Sequence, residues 1–129
     1  MMDHFRHPRH AVPLPFPDGT AWVRGQDTTR FVRIQVGLRE GHVAEASFGT
    51  YGCVPAIACG SWVCEWAVGR SMAEVQHLAP TAVLEALGGL PPNRRDHADM
   101  TVQALQQAVV NAVNRISHAG LLSSQEHPV

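Results

Sequence analysis

Between Phe31 and Val36 apolar and polar residues alternate, and a second apolar series, Val43, Ala44, Ala46 and Phe48, follows a turn at Glu40 and Gly41. Alternation with period two marks a half-buried strand, because successive side chains point to opposite faces of a sheet. The two runs predict a β-hairpin, and Trp22 with Val23 predicts a further edge strand. From Ala56 to Val68 the period lengthens: Ile57, Val63 and Trp66 recur at helical spacing, and Gly69 supplies the stop. Ser71 followed by Glu74 has the form of a capping box and opens a short helix to about His77. Pro80 or Thr81 begins another helix that ends at Gly88 and Gly89. The last helix is predicted from about His97 to His118, with Val102, Leu105, Val109, Ala112 and Ile116 on the face that covers the sheet. Before the strands, residues 2–7 predict a short amphipathic helix ended by Pro8. Pro13, Pro15, Pro17 and Gly19 make residues 11–19 an extended connector.

These elements predict an α+β domain: a three-stranded antiparallel sheet with helices, including a long C-terminal one, packed on one face. At 129 residues and 45% hydrophobic content the chain fits one domain, expected over residues 1–120 with a flexible tail at 121–129. The formal net charge is −1 and the basic residues are all Arg, without the basic face that nucleic-acid binding needs. No run approaches the roughly 20 apolar residues that span a bilayer, and the N-terminus lacks the apolar core of a signal peptide. A cytoplasmic protein with no nucleic-acid or membrane partner is expected. Three cysteines, an odd number, favour metal chemistry, thiol chemistry or packing over structural disulfides.

The run Phe48, Gly49, Thr50, Tyr51, Gly52, Cys53, Val54, Pro55 carries the candidate chemistry. Gly52 permits a tight turn and Pro55 suits the first turn of a helix, which puts Cys53 at a helix N-terminus. There the free amide groups and the helix dipole favour thiolate, the form that attacks electrophiles and binds metals. The alternative is a small residue buried at a strand-to-helix corner. Cys59 and Cys64 lie five residues apart, roughly 140° around the helix, so they do not share a face. They read as packing residues, with Cys59 also a candidate replacement ligand or resolving thiol. His4, His7 and His10 recur every three residues, but Pro8 interrupts any helix between them, and they read as solvated. No Ser, His, Asp arrangement or paired-carboxylate site stands out, so an enzyme is not expected.

Three segments in order resemble the iron–sulfur cluster assembly scaffold family of IscU and the NifU N-terminal domain. They are the opening Met2 to Arg9, the stretch from Phe48 to Trp66 around Tyr51, Gly52 and Cys53, and the motif Leu90, Pro91, Pro92. The resemblance implies the same α+β fold. It also implies that the Cys53 turn, the turn at Gln26 to Thr28 and the helix start at Asp96 and His97 converge at one end. Family members use three cysteines and one aspartate, and this chain departs from that set. Gln26, Asp27 and Thr28 stand where a Cys-Gly-Asp turn is expected, with Asp27 able to serve as the family aspartate after a shift of one position. Asp96 and His97 stand where a His-Cys pair is expected.

Imidazole nitrogen and carboxylate oxygen are good ligands for zinc or ferrous iron, at roughly 2.0–2.2 Å. Cys53, Asp96 and His97 are thus candidate metal ligands, with Cys59 and Asp27 as further candidates. Asp96 and His97 also suit the simpler role of opening the last helix. The resemblance implies a scaffold or carrier for iron, zinc or a transient iron–sulfur cluster. Sulfur would come from a cysteine desulfurase, and Leu90, Pro91 and Pro92 would be presented to an Hsp70-type chaperone; homo-oligomers are a further partner class. Two alternatives remain: a protein-binding accessory that keeps the fold without building clusters, and a persulfide carrier that needs Cys53 alone.

Overall fold

The structure is a computed structural model and describes residues 10–25, 31–50, 54–90 and 96–126. Strands β1 (Gly19–Arg24), β2 (Phe31–Arg39) and β3 (His42–Thr50) form one antiparallel sheet in the order β1-β2-β3. Helices α1 (Val54–Ala67), α2 (Met72–Gln76), α3 (Pro80–Ala86) and α4 (Asp96–Glu126) complete the described residues. The predicted α+β architecture is present. The expected helix at residues 2–7 lies outside the described residues.

The hairpin is made by local chemistry. Glu40 and Gly41 both take positive φ, 53° and 78°, between the paired residues Arg39 and His42. Two such residues form the tight turn whose twist matches that of the flanking strands. The register slips between Gly37 and Leu38: Gly37 opposes Glu45 while Leu38 opposes Val43, so Ala44 has no partner. This bulge corrects one expectation, since Ala44 is exposed instead of joining the apolar face of β3.

Val32, Ile34 and Val36 of β2, with Ala21, Ala46 and Phe48 beside them, make the buried face of the sheet. Leu105, Ala108, Val109 and Ala112 of α4 and Ala58, Cys59, Val63 and Cys64 of α1 belong to the same core. Two glycines set how closely the layers approach. A Cβ on Gly19 would collide with the backbone of Ala108 and Ala112, and one on Gly60 with the ring of Phe48. Helix α4 is 31 residues long, about 46 Å, against about 30 Å for the nine residues of β2, so it overshoots the sheet. Its predicted end at His118 is corrected to Glu126, and Ile116, expected to cover the sheet, is 48% exposed.

The other face is partly covered by residues 10–17, a layer the sequence pattern did not predict. The His10 carbonyl accepts from Phe48 N–H at 2.9 Å, the Val12 carbonyl from the Ser47 hydroxyl at 2.7 Å, and Leu14 N–H donates to Gln35 Oε1 at 3.0 Å. At the far end of β3, Val43 N–H donates to the Arg70 carbonyl and Gly69 N–H to the Val43 carbonyl, which blunts the exposed strand edge. Ser71 and Glu74 make the predicted capping box, Ser71 Oγ accepting from Glu74 N–H and Glu74 Oε1 from Ser71 N–H, both at 3.2 Å.

Gly19→Ala should destabilise the protein by about 1–3 kcal/mol, because the obstacle is backbone that cannot rotate away. Gly37→Ala, whose Cβ would sit 3.5 Å from its nearest neighbour, should leave the urea midpoint unchanged; parallel denaturation curves of the two variants check this. Ser71→Ala should cost about 1 kcal/mol through the lost cap, read from the same curves. The Ser71 backbone N–H and the Arg70 side chain hold the Glu74 carboxyl below its ordinary value. Its contribution is therefore present above the unfolded carboxylate range and is lost as pH falls through the folded value. The penalty of Glu74→Gln, which removes that carboxylate, should shrink on acidification in that window, read from the same curves.

Candidate metal and cluster site

The end of β1, the start of β2 and the end of β3 lie at one end of the sheet, and α4 begins toward it. Arg24 ends β1 opposite Phe31, the first residue of β2, and Val32 pairs with Thr50, the last residue of β3. Thr50 Oγ1 donates to the Phe31 carbonyl at 2.8 Å, closing this end. The β1–β2 connection and the β3–α1 connection therefore both leave from here. Helix α4 runs antiparallel to β1: Arg115 donates to the Pro17 carbonyl at 3.0 Å, and Asn111 Nδ2 to the Thr20 carbonyl at 2.9 Å. Residues earlier in α4 lie progressively nearer the Arg24 end, so the helix begins, at Asp96, toward the end where the other two connections leave.

Asp96 is exposed and His97 is buried, 2% accessible, with Nδ1 shielded from solvent. Asp96 and Asp99 both lie in the first turn, where the helix dipole favours negative charge. The Thr101 hydroxyl donates to the His97 carbonyl at 2.6 Å, which holds the second residue of the helix in place. The helix start thus offers one solvated carboxylate and one imidazole inside the protein.

Cys53 and Asp27 lie outside the described residues, as do Pro91 and Pro92. The chain neighbours of the Cys53 segment, Thr50 ending β3 and Val54 opening α1, are at the end described above. Cys59 and Cys64 are fully buried in the core between α1 and the sheet. Burial pushes the Cys64 thiol far above its ordinary value, leaving a neutral side chain that packs and does not ligate. Leu90 is also buried, 5% accessible, so a partner can take its side chain only if Leu90 leaves that core. Among the described residues no three His, Cys, Asp or Glu side chains are grouped to hold a metal ion. None of their helices is long and apolar enough to cross a membrane.

Two features of this end escaped sequence reasoning. The burial of His97 depends on packing that no local spacing encodes. The outward pair Trp22 and Arg33 was signalled only by alternation: Trp22 and Arg24 on β1, and Phe31 and Arg33 on β2, occupy the positions between core residues.

Comparison with known proteins agrees with this architecture. Residues 1–119 match the family model of the NifU-like N terminal domain. The chain is 29% identical over 127 residues to iron-sulfur cluster assembly scaffold protein IscU 1 of Archaeoglobus fulgidus, covering 94% of this chain and 83% of that protein. It is 33% identical over 113 residues to the scaffold protein IscU of Azotobacter vinelandii, covering 84% and 88%. Among solved structures, the N-terminal NifU-like protein of Brucella abortus superposes with a TM-score of 0.68 at 18% identity, over 87% of this chain and 90% of that one. The match to the family model spans nearly the whole chain, and with the shared fold it identifies this protein as a member of the NifU-like N-terminal domain family, to which the IscU scaffolds are its relatives.

Proposed function

We propose that the protein is a divergent scaffold or carrier in iron–sulfur cluster assembly, and that its cargo is iron, zinc or a transient cluster bound through Cys53 with Asp96 and His97. The observation that supports this reading is that β3, which leads into the Cys53 segment, ends at the side of the sheet toward which α4 begins, with exposed Asp96 and buried His97 in its first turn. The relatives named as cluster scaffolds support it. Sulfur would reach the Cys53 thiolate as persulfide from a cysteine desulfurase, and Leu90 to Pro92 would meet an Hsp70-type chaperone.

The donor set fits a mononuclear ion better than a stable cluster. Thiolate, imidazole and carboxylate together suit zinc or ferrous iron, whereas ordinary clusters are held by four thiolates and mixed ligation is the minority arrangement. With Cys64 neutral and Cys59 inside the core, few thiols remain to hold a cluster for long. Weak retention suits a carrier that hands its cargo on. The same scarcity of thiols supports a second reading, in which Cys53 alone carries sulfane sulfur without metal.

Protein purified without oxygen should contain iron or zinc, and after reconstitution iron with acid-labile sulfide and a visible absorption band. Cys53→Ala should abolish both, and His97→Ala should lower metal content. His97→Cys, which supplies another thiolate, should lengthen the lifetime of the cluster. Thermal melts of each variant separate lost ligation from lost packing at the buried His97 position. Metal without sulfide identifies a mononuclear site. Protein with neither, yet gaining one sulfur atom in mass at Cys53 when incubated with a cysteine desulfurase and cysteine, establishes the persulfide carrier. Protein with neither metal nor transferable sulfur overturns both readings.

A further inference from the structure

The outer face of the sheet carries an aromatic and basic cluster that the cargo site does not use. Trp22 sits on the edge strand β1 and is 54% exposed, although Trp is the residue whose exposure forgoes the most apolar burial. Its ring packs against Phe31, with centroids 5.4 Å apart, and the Arg33 guanidinium lies 5.8 Å from its centre. The register places Arg33 directly across from Trp22 on one side and Gly49 on the other. Gly49 leaves the room Arg33 needs: the guanidinium atoms lie 2.9–3.3 Å from where a Cβ would stand. Arg33 is thus laid flat across β3 and held between a glycine and an indole.

Among the described residues this arginine lacks an acid. Its Nε is buried and makes no hydrogen bond with any of them. Their ion pairs engage Arg70 and Arg115, and none of their carboxylates pairs with Arg33 or the neighbouring Arg24. The acids on this face, Glu45 and Asp18, gather around Gly37, about 13 Å further along β2. The side-chain hydrogen bonds of residues 10–17 on this face go to Gln35 and Ser47, the next outward positions along β2 and β3 from Arg33 and Gly49.

We propose that the Trp22 and Arg33 face is a docking surface for an acidic segment of a partner protein, which places a carboxylate on the Arg33 guanidinium and an apolar side chain on Trp22. A planar guanidinium matches a carboxylate with two parallel hydrogen bonds. Trp and Arg are the residues that most often dominate the energy of protein interfaces. An arginine already fixed by its neighbours loses less freedom on binding, which adds to affinity. A nucleic acid fits less well, because the basic area is two arginines wide and borders Glu45 and Asp18, whereas a duplex reader neutralises on the order of 6–10 phosphates. The surface uses none of Cys53, Asp96 and His97, so its test reads side chains other than those proposed for the cargo.

The test titrates the isotopically labelled protein with a capped hexapeptide of alternating Glu and Leu, using the Gln and Leu counterpart as control, and follows the Trp22 indole and Arg33 Nε–H signals by NMR. The acidic peptide should shift both signals saturably, and the neutral peptide should not. Trp22→Ala and Arg33→Gln should each weaken binding by about tenfold or more, while Cys53→Ala leaves it unchanged. Where a melt shows Trp22→Ala to be unfolded, Trp22→Phe replaces it and should weaken binding by a smaller factor. Equal shifts with the neutral peptide, no shift at on the order of 1 mM acidic peptide, or unchanged binding by folded Arg33→Gln each overturn the proposal. Tighter binding of an oligonucleotide than of the acidic peptide at the same signals overturns it in favour of a nucleic-acid surface.

Discussion

The close seating of α4 on β1 sets the geometry of most of this molecule. Gly19 lets the helix backbone at Ala108 and Ala112 come nearer than any side chain would allow. The polar contacts from Asn111 to Thr20 and from Arg115 to Pro17 and Asp18 then set the direction in which the helix runs. Because both partners are main chain, neither can swing aside, and the alignment of helix on strand is settled by geometry more than by side-chain choice. From that alignment the helix must begin at the Arg24 end. The helix start at Asp96 and His97 is therefore placed by Gly19 and by the contacts of Asn111 and Arg115, roughly four turns or more away.

The strands and helices could be read from the chain because each is written in local terms. The period changes near Ala56, the turn residues at Glu40 and Gly41 take the positive φ that a tight hairpin needs, and Ser71 with Glu74 forms its cap within four residues. The features that escaped reading depend on distant partners. Ala44 fits the apolar pattern of β3 but falls at a bulge fixed by how β2 and β3 register. Ile116 keeps the helical spacing of Val109 and Ala112 yet lies at the hairpin end of the sheet, in a hollow with Leu38 and Gly41, and stays half exposed. The continuation of α4 through Gly120 to Glu126 runs against the helix-breaking tendency of glycine, which costs only about 1 kcal/mol within a long helix.

The candidate site was legible through resemblance, and the residues that make it unusual were legible only as departures. In the proposed site, an imidazole at His97 where a thiolate would otherwise stand changes more than the ligand atom. A buried imidazole is comfortable when neutral, which is also the form that binds a metal, whereas a buried thiolate would need a cation to offset its desolvation. In the proposed site the exposed carboxylate of Asp96 would supply the negative charge that an imidazole ligand does not.

Arg33 is the clearest case of a local arrangement whose cost is not recovered among the described residues. Shielding a guanidinium Nε from water without an acceptor among the described residues is unfavourable by about 1–3 kcal/mol, and leaving Trp22 half in solvent forgoes apolar burial. Neither choice helps the core, since Gln or Thr at position 33 would pair with Gly49 across the same ladder. A glycine that makes room for the guanidinium and an indole that flanks it are two separate concessions directed at one side chain. A docked segment that sets a carboxylate on the guanidinium and an apolar side chain on Trp22 would offset the cost at the guanidinium and at the exposed indole together.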